Sequence, residues 1–165
     1  MPQRPVHVLF LCTGNSARSI LAEALTTHLG KGRVLGFSAG SAPKPQPNPM
    51  ALALLESEGI ATAGLHAKSW DKFAQPHATP IDIVITVCDA AAGETCPVWP
   101  GSPVKVHWGI PDPPAAGDEA AQRVAFRHAY DVLKARITAL VHSPDIAAPT
   151  ALQHTLQAIA KAHPA

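Results

Sequence analysis

Long apolar runs and runs of like charge are both missing from this sequence of 165 residues. No stretch of 18 consecutive apolar residues is present, so the sequence predicts no membrane-spanning helix. Lysine and arginine are scattered, and the formal net charge is +1 with the nine histidines counted as neutral. A protein that binds nucleic acid or a membrane surface usually carries a basic patch or stripe. We therefore expect neither nucleic acid nor membrane among the partners.

Cysteine is also scarce, with three residues in the whole chain. A chain of this length can bury a core without disulfides, and an odd number of cysteines does not suit a disulfide framework. The apolar stretch at residues 6–11 is too short for a secretion signal and leads directly into Cys12. We expect a cytoplasmic protein, in which such thiols are more often buried, catalytic or metal-binding than structural.

Apolar residues make up 47% of the chain and fall into two kinds of segment. Short stretches that are mostly apolar or β-branched predict buried strands at residues 6–11, 33–39, 81–87 and 104–106. Apolar residues at three- and four-residue spacing predict helices at residues 16–30, 48–59 and 118–141. This alternation predicts an α/β domain with a mostly parallel sheet over residues 1–142. We interpret residues 143–165 as a linker followed by a short helical appendage.

Cys12 lies where a predicted strand ends and a predicted helix begins, in the stretch VLFLCTGNSARS. In an open α/β sheet this is the edge at which ligands bind, and N–H groups at a helix N-terminus can surround an oxyanion. Gly14 allows close approach, and the planar guanidinium of Arg18 can hold two oxygens. We expect the same groups to lower the pKa of Cys12 below its usual value of about 8.5. The predicted oxyanion-binding residues are Thr13, Gly14, Asn15, Ser16, Ala17, Arg18 and Ser19.

The Cys-x5-Arg spacing is weak by itself, because a buried cysteine at a strand end would also fit it. Together with its flanking elements, however, VLFLCTGNSARS resembles the signature of the low-molecular-weight protein tyrosine phosphatase superfamily. The resemblance continues through SAGS at 38–41, NPMALALLESEGI at 48–60, VITVCD at 84–89 and the pair Asp112-Pro113. It implies a flavodoxin-like three-layer fold with a four-stranded parallel sheet. It also implies that Cys12 attacks the phosphorus or arsenic centre, Arg18 binds the oxyanion and Asp112 protonates the leaving oxygen.

The other two cysteines bear on which of the superfamily's two chemistries applies. A phosphatase needs only the three residues just named, whereas reducing arsenate to arsenite needs two electrons, which two thiols supply by forming a disulfide. Cys88 directly follows a predicted strand and Cys96 lies beyond it, which resembles the thioredoxin-coupled arsenate reductases. The resemblance implies that Cys88 attacks Cys12 to release arsenite, and that Cys96 then converts the Cys12–Cys88 disulfide into Cys88–Cys96. The interval between Cys88 and Cys96 departs from the expected family pattern by one extra residue.

The implied substrate is arsenate, with phosphate or sulfate as competing oxyanions and no tightly bound cofactor. The implied reductant is thioredoxin, or alternatively glutaredoxin with glutathione. A phosphatase acting on phosphate monoesters is the main alternative, although the residues after Asp112 offer no aromatic platform for phosphotyrosine. A non-catalytic thiol module that binds arsenite or a soft metal is less favoured, because Cys-x7-Cys is not a usual zinc spacing. Such a module would also have no need of Arg18.

Some members of the superfamily bind potassium beside the active loop. The positions that match theirs in this sequence are Asn15, Glu23, Ser38 and Asp71. Taken alone, each of these residues is more often a helix cap or a surface polar group. The potassium site is therefore an expectation that depends on the resemblance.

Overall fold

The computed structural model describes residues 4–88, 99 and 103–165. This part of the chain contains a parallel sheet of four strands in the order β2-β1-β3-β4. The strands are β1 (Val6–Leu11), β2 (Val34–Ala39), β3 (Ile83–Thr86) and β4 (Val104–His107). The described α-helices are α1 (Arg18–Gly30), α2 (Pro49–Ser57), α3 (Glu119–Val141) and α4 (Pro149–Ala162). Short 3-10 helices cover Trp70–Phe73, Pro113–Ala116 and Pro144–Ala147.

Strand β1 is buried on both of its faces over residues 8–11, as its nearly continuous apolar run predicts. Val8 and Phe10 lie in the larger core, to which all four α-helices contribute side chains. Leu9 and Leu11 lie on the opposite face, in a smaller core that includes side chains of the 3-10 helix Trp70–Phe73. Both faces of the sheet are therefore covered, and the predicted α/β fold with a four-stranded parallel sheet is confirmed.

Two helices begin at residues whose side chains cap them. The side chain of Asn48 accepts a hydrogen bond from the N–H of Met50, and Pro49 occupies the first position of α2. The Asp118 side chain accepts from the N–H of Ala121 at the start of α3. Within the ranges that the structure describes, no helix combines the length and apolarity needed to cross a membrane.

The C-terminal segment is more closely integrated than the expected linker and appendage. Leu152, Leu156 and Ile159 of α4 are buried in the larger core. The indole N–H of Trp108 donates to the carbonyl oxygen of Leu156 at 3.0 Å. The many alanines of this segment make its apolar pattern look weak, but its three large apolar residues recur on one helical face. That face packs against β4 and α3.

Candidate active site

The turn between β1 and α1 forms a loop whose carbonyl groups are bonded to the segment that follows β2. Three carbonyl oxygens of the loop accept backbone hydrogen bonds: Thr13 from Ala42 at 3.0 Å, Gly14 from Lys44 at 2.9 Å and Ser16 from Asn48 at 2.8 Å. The N–H groups of residues 15–18, by contrast, donate to no backbone carbonyl within the described ranges. Unpaired N–H donors at the start of a helix form a ready site for an oxyanion.

Asn15 and Gly40 hold this loop in shape. Asn15 has φ 46, in the left-handed region that asparagine tolerates better than most residues. Its side chain is fully buried, donates to the Ser19 hydroxyl at 2.9 Å and accepts from the N–H of Lys68 at 2.9 Å. Gly40 lies so close to the loop that a Cβ there would collide with the carbonyl oxygen of Cys12. The glycine of SAGS is therefore required by a close approach of two backbones.

Arg18 lies beside Cys12 and is only 9% exposed. One guanidinium nitrogen, Nη1, donates to the carbonyl oxygen of Ile110 at 2.7 Å. The other, Nη2, lies 3.8 Å from the Cys12 sulfur and 3.4 Å from Oδ1 of Asp112. Its Nε is buried without a hydrogen-bond partner among the described residues. Leaving a buried charged donor unpaired costs free energy, and a bound oxyanion would remove that cost.

Asp112 lies at the mouth of the same site, with its side chain 46% exposed. It directly precedes the 3-10 helix Pro113–Ala116 but makes no side-chain capping bond to it. Its carboxylate is instead placed beside Arg18, in an open cleft of about 810 Å³ that Thr13 and Cys88 also line. A carboxyl group in this position can reach an oxygen that leaves a centre bound in the loop.

Cys12 and Cys88 are brought side by side by the sheet. Strands β1 and β3 pair in parallel with Leu11 opposite Thr86, so both cysteines follow strands that end at the same edge. Both thiols are buried, and they share a hydrogen bond. The Thr13 hydroxyl lies 3.7 Å from the Cys88 sulfur. The two thiols are therefore near enough to interact, and a disulfide needs its two cysteines close together.

The pKa of Cys12 departs from expectation because of this neighbour. The hydrogen bond with Cys88 and burial raise the pKa of Cys12 above its usual value, whereas Arg18 and the N–H of Gly14 lower it. The expected net lowering is therefore not met in this conformation, since the sequence does not reveal that a second thiol lies against the first. Two thiolates side by side in a buried site would repel each other, so the pair retains a proton.

Three of the four residues predicted to bind potassium meet behind the loop. The Ser38 hydroxyl donates to Oε1 of Glu23 at 2.5 Å. Asn15 is linked to this pair through Lys68, whose N–H donates to the Asn15 side chain. The Lys68 ammonium lies 3.5 Å from the same Glu23 oxygen. Burial lowers the pKa of Lys68, and the charge of Glu23 opposes that change. Asp71 is instead an exposed residue of a 3-10 helix, and its N–H donates to the Ser69 hydroxyl.

Lys68 is the residue of the site that sequence reasoning missed. Lys68 carries no pattern that would reveal it, because it follows Asn15 by more than fifty residues and reaches it only through the fold. Cys96 lies among residues 89–98, outside the described part of the chain, and its place in the relay stays a prediction. Among the described residues, no group of three or more His, Cys, Asp or Glu side chains could hold a metal ion.

Comparison with known proteins identifies relatives along most of the chain. The profile of the family described as low molecular weight phosphotyrosine protein phosphatase matches residues 7–157. The arsenate reductase of Halalkalibacterium halodurans is 35% identical over 136 residues, which cover 79% of this chain and 91% of that protein. Arsenate reductase 1 of Staphylococcus epidermidis is 33% identical over 135 residues, which cover 82% of this chain and 95% of that protein.

A solved structure shows the same fold. The thioredoxin-dependent arsenate reductase of Corynebacterium glutamicum superimposes with a TM-score of 0.60 at 23% identity. The superposition covers 96% of this chain and 65% of that longer chain. It therefore includes the C-terminal segment as well as the sheet.

Proposed function

The chain belongs to the low-molecular-weight phosphotyrosine protein phosphatase family, and we propose that the reduction of arsenate to arsenite proceeds here through a relay of three thiols. In the first step the Cys12 sulfur forms a bond to arsenic, and one arsenate oxygen leaves as water with a proton from Asp112. Arg18 and the loop N–H groups hold the remaining oxygens. The oxyanion site, its unpaired Arg18 Nε and the nearby carboxylate support this assignment.

In the second step the Cys88 sulfur attacks the Cys12 sulfur. The sulfur–arsenic bond breaks, its electron pair stays on arsenic, and arsenite leaves with arsenic in the +3 state. The two thiols have then supplied two electrons and become the Cys12–Cys88 disulfide. The observation that supports this step is the placement of both buried thiols at the ends of two paired strands, where Cys88 is near enough to raise the pKa of Cys12. Hydrolysis of a phosphate monoester would not need a second thiol such as Cys88 beside Cys12.

In the third step Cys96 attacks Cys88, which frees Cys12 and leaves a Cys88–Cys96 disulfide. An external dithiol then reduces that disulfide, and thioredoxin is the reductant that we propose. This step is supported by the presence of a third cysteine eight residues after Cys88. Because the thiols must be returned to their reduced form after each turnover, we also propose a reducing, cytoplasmic location.

Two serine variants test the relay. Cys96→Ser should complete one turnover and accumulate the Cys12–Cys88 disulfide, which a non-reducing digest with mass mapping would identify. Cys88→Ser should form no such disulfide, because the arsenic adduct on Cys12 then has no internal attacker. Wild type treated with arsenate and no reductant should instead accumulate Cys88–Cys96. Each variant is the matched control of the other, since each removes one thiol at a different step.

Steady-state turnover identifies the reductant. Arsenate-dependent NADPH consumption should be supported by thioredoxin with thioredoxin reductase, and both serine variants should lose it. If turnover is faster with glutaredoxin and glutathione, these replace thioredoxin as the proposed reductant. If both variants reduce arsenate at the wild-type rate with thioredoxin, the three-thiol relay is refuted.

A further inference from the structure

Lys68 joins the oxyanion loop to the strand edge behind it through its backbone. Its N–H donates to Oδ1 of Asn15 at 2.9 Å, and its carbonyl oxygen accepts from the N–H of Gly40 at 2.9 Å. Asn15 is the loop residue with a left-handed conformation, and Gly40 is the residue packed against the loop backbone. A shift of Lys68 would therefore be transmitted to both supports of the loop.

The side chain of Lys68 lies in a polar cluster that is nearly closed to solvent. Its ammonium donates to the carbonyl oxygen of His66 at 2.7 Å and lies 3.5 Å from Oε1 of Glu23. The same Glu23 oxygen accepts the Ser38 hydroxyl. The side chains of Lys68 and Glu23 are only 11% and 16% exposed. A buried carboxylate requires a compensating charge, and here a residue of the chain supplies it.

These residues do not fit a potassium ion. Potassium would need the oxygens of Glu23, Ser38 and Asn15, and the amide oxygen of Asn15 already uses one of its two lone pairs to accept the Lys68 N–H. The Lys68 ammonium already brings one positive charge to Glu23. A potassium ion bound to the same carboxylate would lie beside that like charge and be repelled. Asp71, the fourth predicted ligand, is exposed on a 3-10 helix.

We propose that the ammonium group of Lys68 is a built-in cation that takes the place of potassium behind the oxyanion loop. It neutralises Glu23, anchors the Lys68 backbone and thereby keeps Asn15 in its left-handed turn. Lys68 is in this view a positioning residue, which acts on the oxyanion only through the loop. The proposal concerns oxyanion binding. It rests on the proposed reaction only where an effect of Lys68 on turnover is expected.

The first test uses the wild-type protein and inorganic ions. Sulfate protection of Cys12 against alkylation, and the thermal unfolding midpoint, are measured in potassium, ammonium and choline chloride at equal ionic strength. We expect the three salts to give the same protection and the same midpoint. A bound potassium ion would stabilise the folded state by mass action. A rise of either quantity that is specific to potassium would overturn the proposal.

The second test removes the built-in cation. Lys68→Ala leaves Glu23 uncompensated and opens space beside it, so sulfate should protect Cys12 about tenfold less well in choline chloride. Potassium or ammonium chloride should restore that protection, because either ion can occupy the vacated space. Lys72→Ala is the matched control, since Lys72 is a neighbouring cation with an exposed side chain on the 3-10 helix Trp70–Phe73. It should behave as wild type in every salt.

The double variant Lys68→Ala/Glu23→Gln identifies the group that binds the restoring ion. Without the carboxylate, potassium should no longer restore protection. Full protection of Lys68→Ala in choline chloride would overturn the proposal, and so would a loss that no cation restores, which would indicate a purely structural role. If Lys68→Ala does not fold, the wild-type comparison decides. None of these readouts requires arsenate reduction, so a failure of the relay would be recognised separately.

Discussion

Arg18 connects three parts of the active site that are distant in the sequence. Its guanidinium contacts the Ile110 carbonyl, the Asp112 carboxylate and the Cys12 sulfur, and its Nε has no partner among the described residues. The planar guanidinium can direct several donors at once, which the single ammonium of lysine cannot do. Arg18 therefore links Asp112 to Cys12, and in the proposed reaction it would orient the acid and the nucleophile.

The pKa of Cys12 should fall when its thiol neighbour is removed. In Cys88→Ala the hydrogen bond and the charge that raise the pKa of Cys12 are gone, while Arg18 and the Gly14 N–H still lower it. A lower pKa leaves more thiolate at a given pH. Cys12 should therefore be alkylated roughly tenfold faster at pH 7. Alkylation rates of the Cys12 peptide against pH measure the change.

Val87→Ala is the control for that experiment, because Val87 is buried beside Cys88 but carries no thiol. It should leave the alkylation profile of Cys12 unchanged. If the pKa of Cys12 is the same in Cys88→Ala as in the wild type, the two thiols are not coupled in solution.

Asp112→Asn tests whether Asp112 donates the proton to the leaving oxygen. An amide keeps the size and polarity of the side chain but cannot donate the required proton, so single-turnover arsenate reduction should slow by about 10²- to 10⁴-fold. Rapid-quench detection of arsenite measures the rate. Asp118→Asn is the matched control, because Asp118 caps α3 through an oxygen that asparagine retains. Equal rates for Asp112→Asn and wild type would remove Asp112 from the mechanism.

Helix α4 supports the loop that carries Asp112, although it lies outside the catalytic cleft. Trp108 donates to the Leu156 carbonyl, and the Arg136 guanidinium lies 5.9 Å from the Trp108 ring centroid. Arg136 also donates to the carbonyl oxygens of Gly109 and His163, at 3.5 Å and 2.9 Å. Burial lowers the pKa of Arg136. These contacts join the C-terminal helix to the start of the loop that ends at the acid.

Leu156→Ala should show that α4 is part of the core. Leu156 is fully buried, and truncating a buried leucine to alanine costs about 2–5 kcal/mol through lost burial and a residual cavity. Urea unfolding measures the free energy of unfolding. Gln157→Ala, on the exposed side of the same helix, should change it by less than about 0.5 kcal/mol. Equal stabilities of the two variants would mean that α4 is a detachable appendage after all.

Oxyanion binding should stabilise the entire molecule, because the loop that holds the anion exists only when β1, β2 and the Lys68 segment are assembled. A ligand that binds only the folded state adds about 2.7 kcal/mol of stability at one hundred times its dissociation constant. Sodium sulfate should therefore raise the unfolding midpoint of wild type more than sodium chloride of equal ionic strength. Arg18→Lys should respond to both salts alike, which calorimetry can measure. A sulfate effect as large in Arg18→Lys as in wild type would show that it does not arise in the loop.

The sequence by itself determined the order of strands and helices, and it predicted the nucleophile, arginine and acid of the site. These features depend on local patterns: a buried strand reads as an unbroken apolar run, and the loop from Cys12 to Arg18 is continuous in the chain. The structure then placed Asp112 beside Arg18, as expected for an acid. The bounds of strands changed by a few residues, as in β3, where Ile83–Thr86 pairs out of the predicted 81–87.

Only the tertiary structure decided which groups surround that loop. The contact of Cys88 with Cys12 raises a pKa that the loop alone would lower, and the Lys68 ammonium lies where an ion was expected. The packing of α4 against Trp108 likewise joins residues that are far apart in sequence. Contacts of this kind arise from strand register and helix packing, which bring distant side chains together without leaving a local pattern. They set the charges and the proton of the site, because electrostatic interactions depend on distance in space.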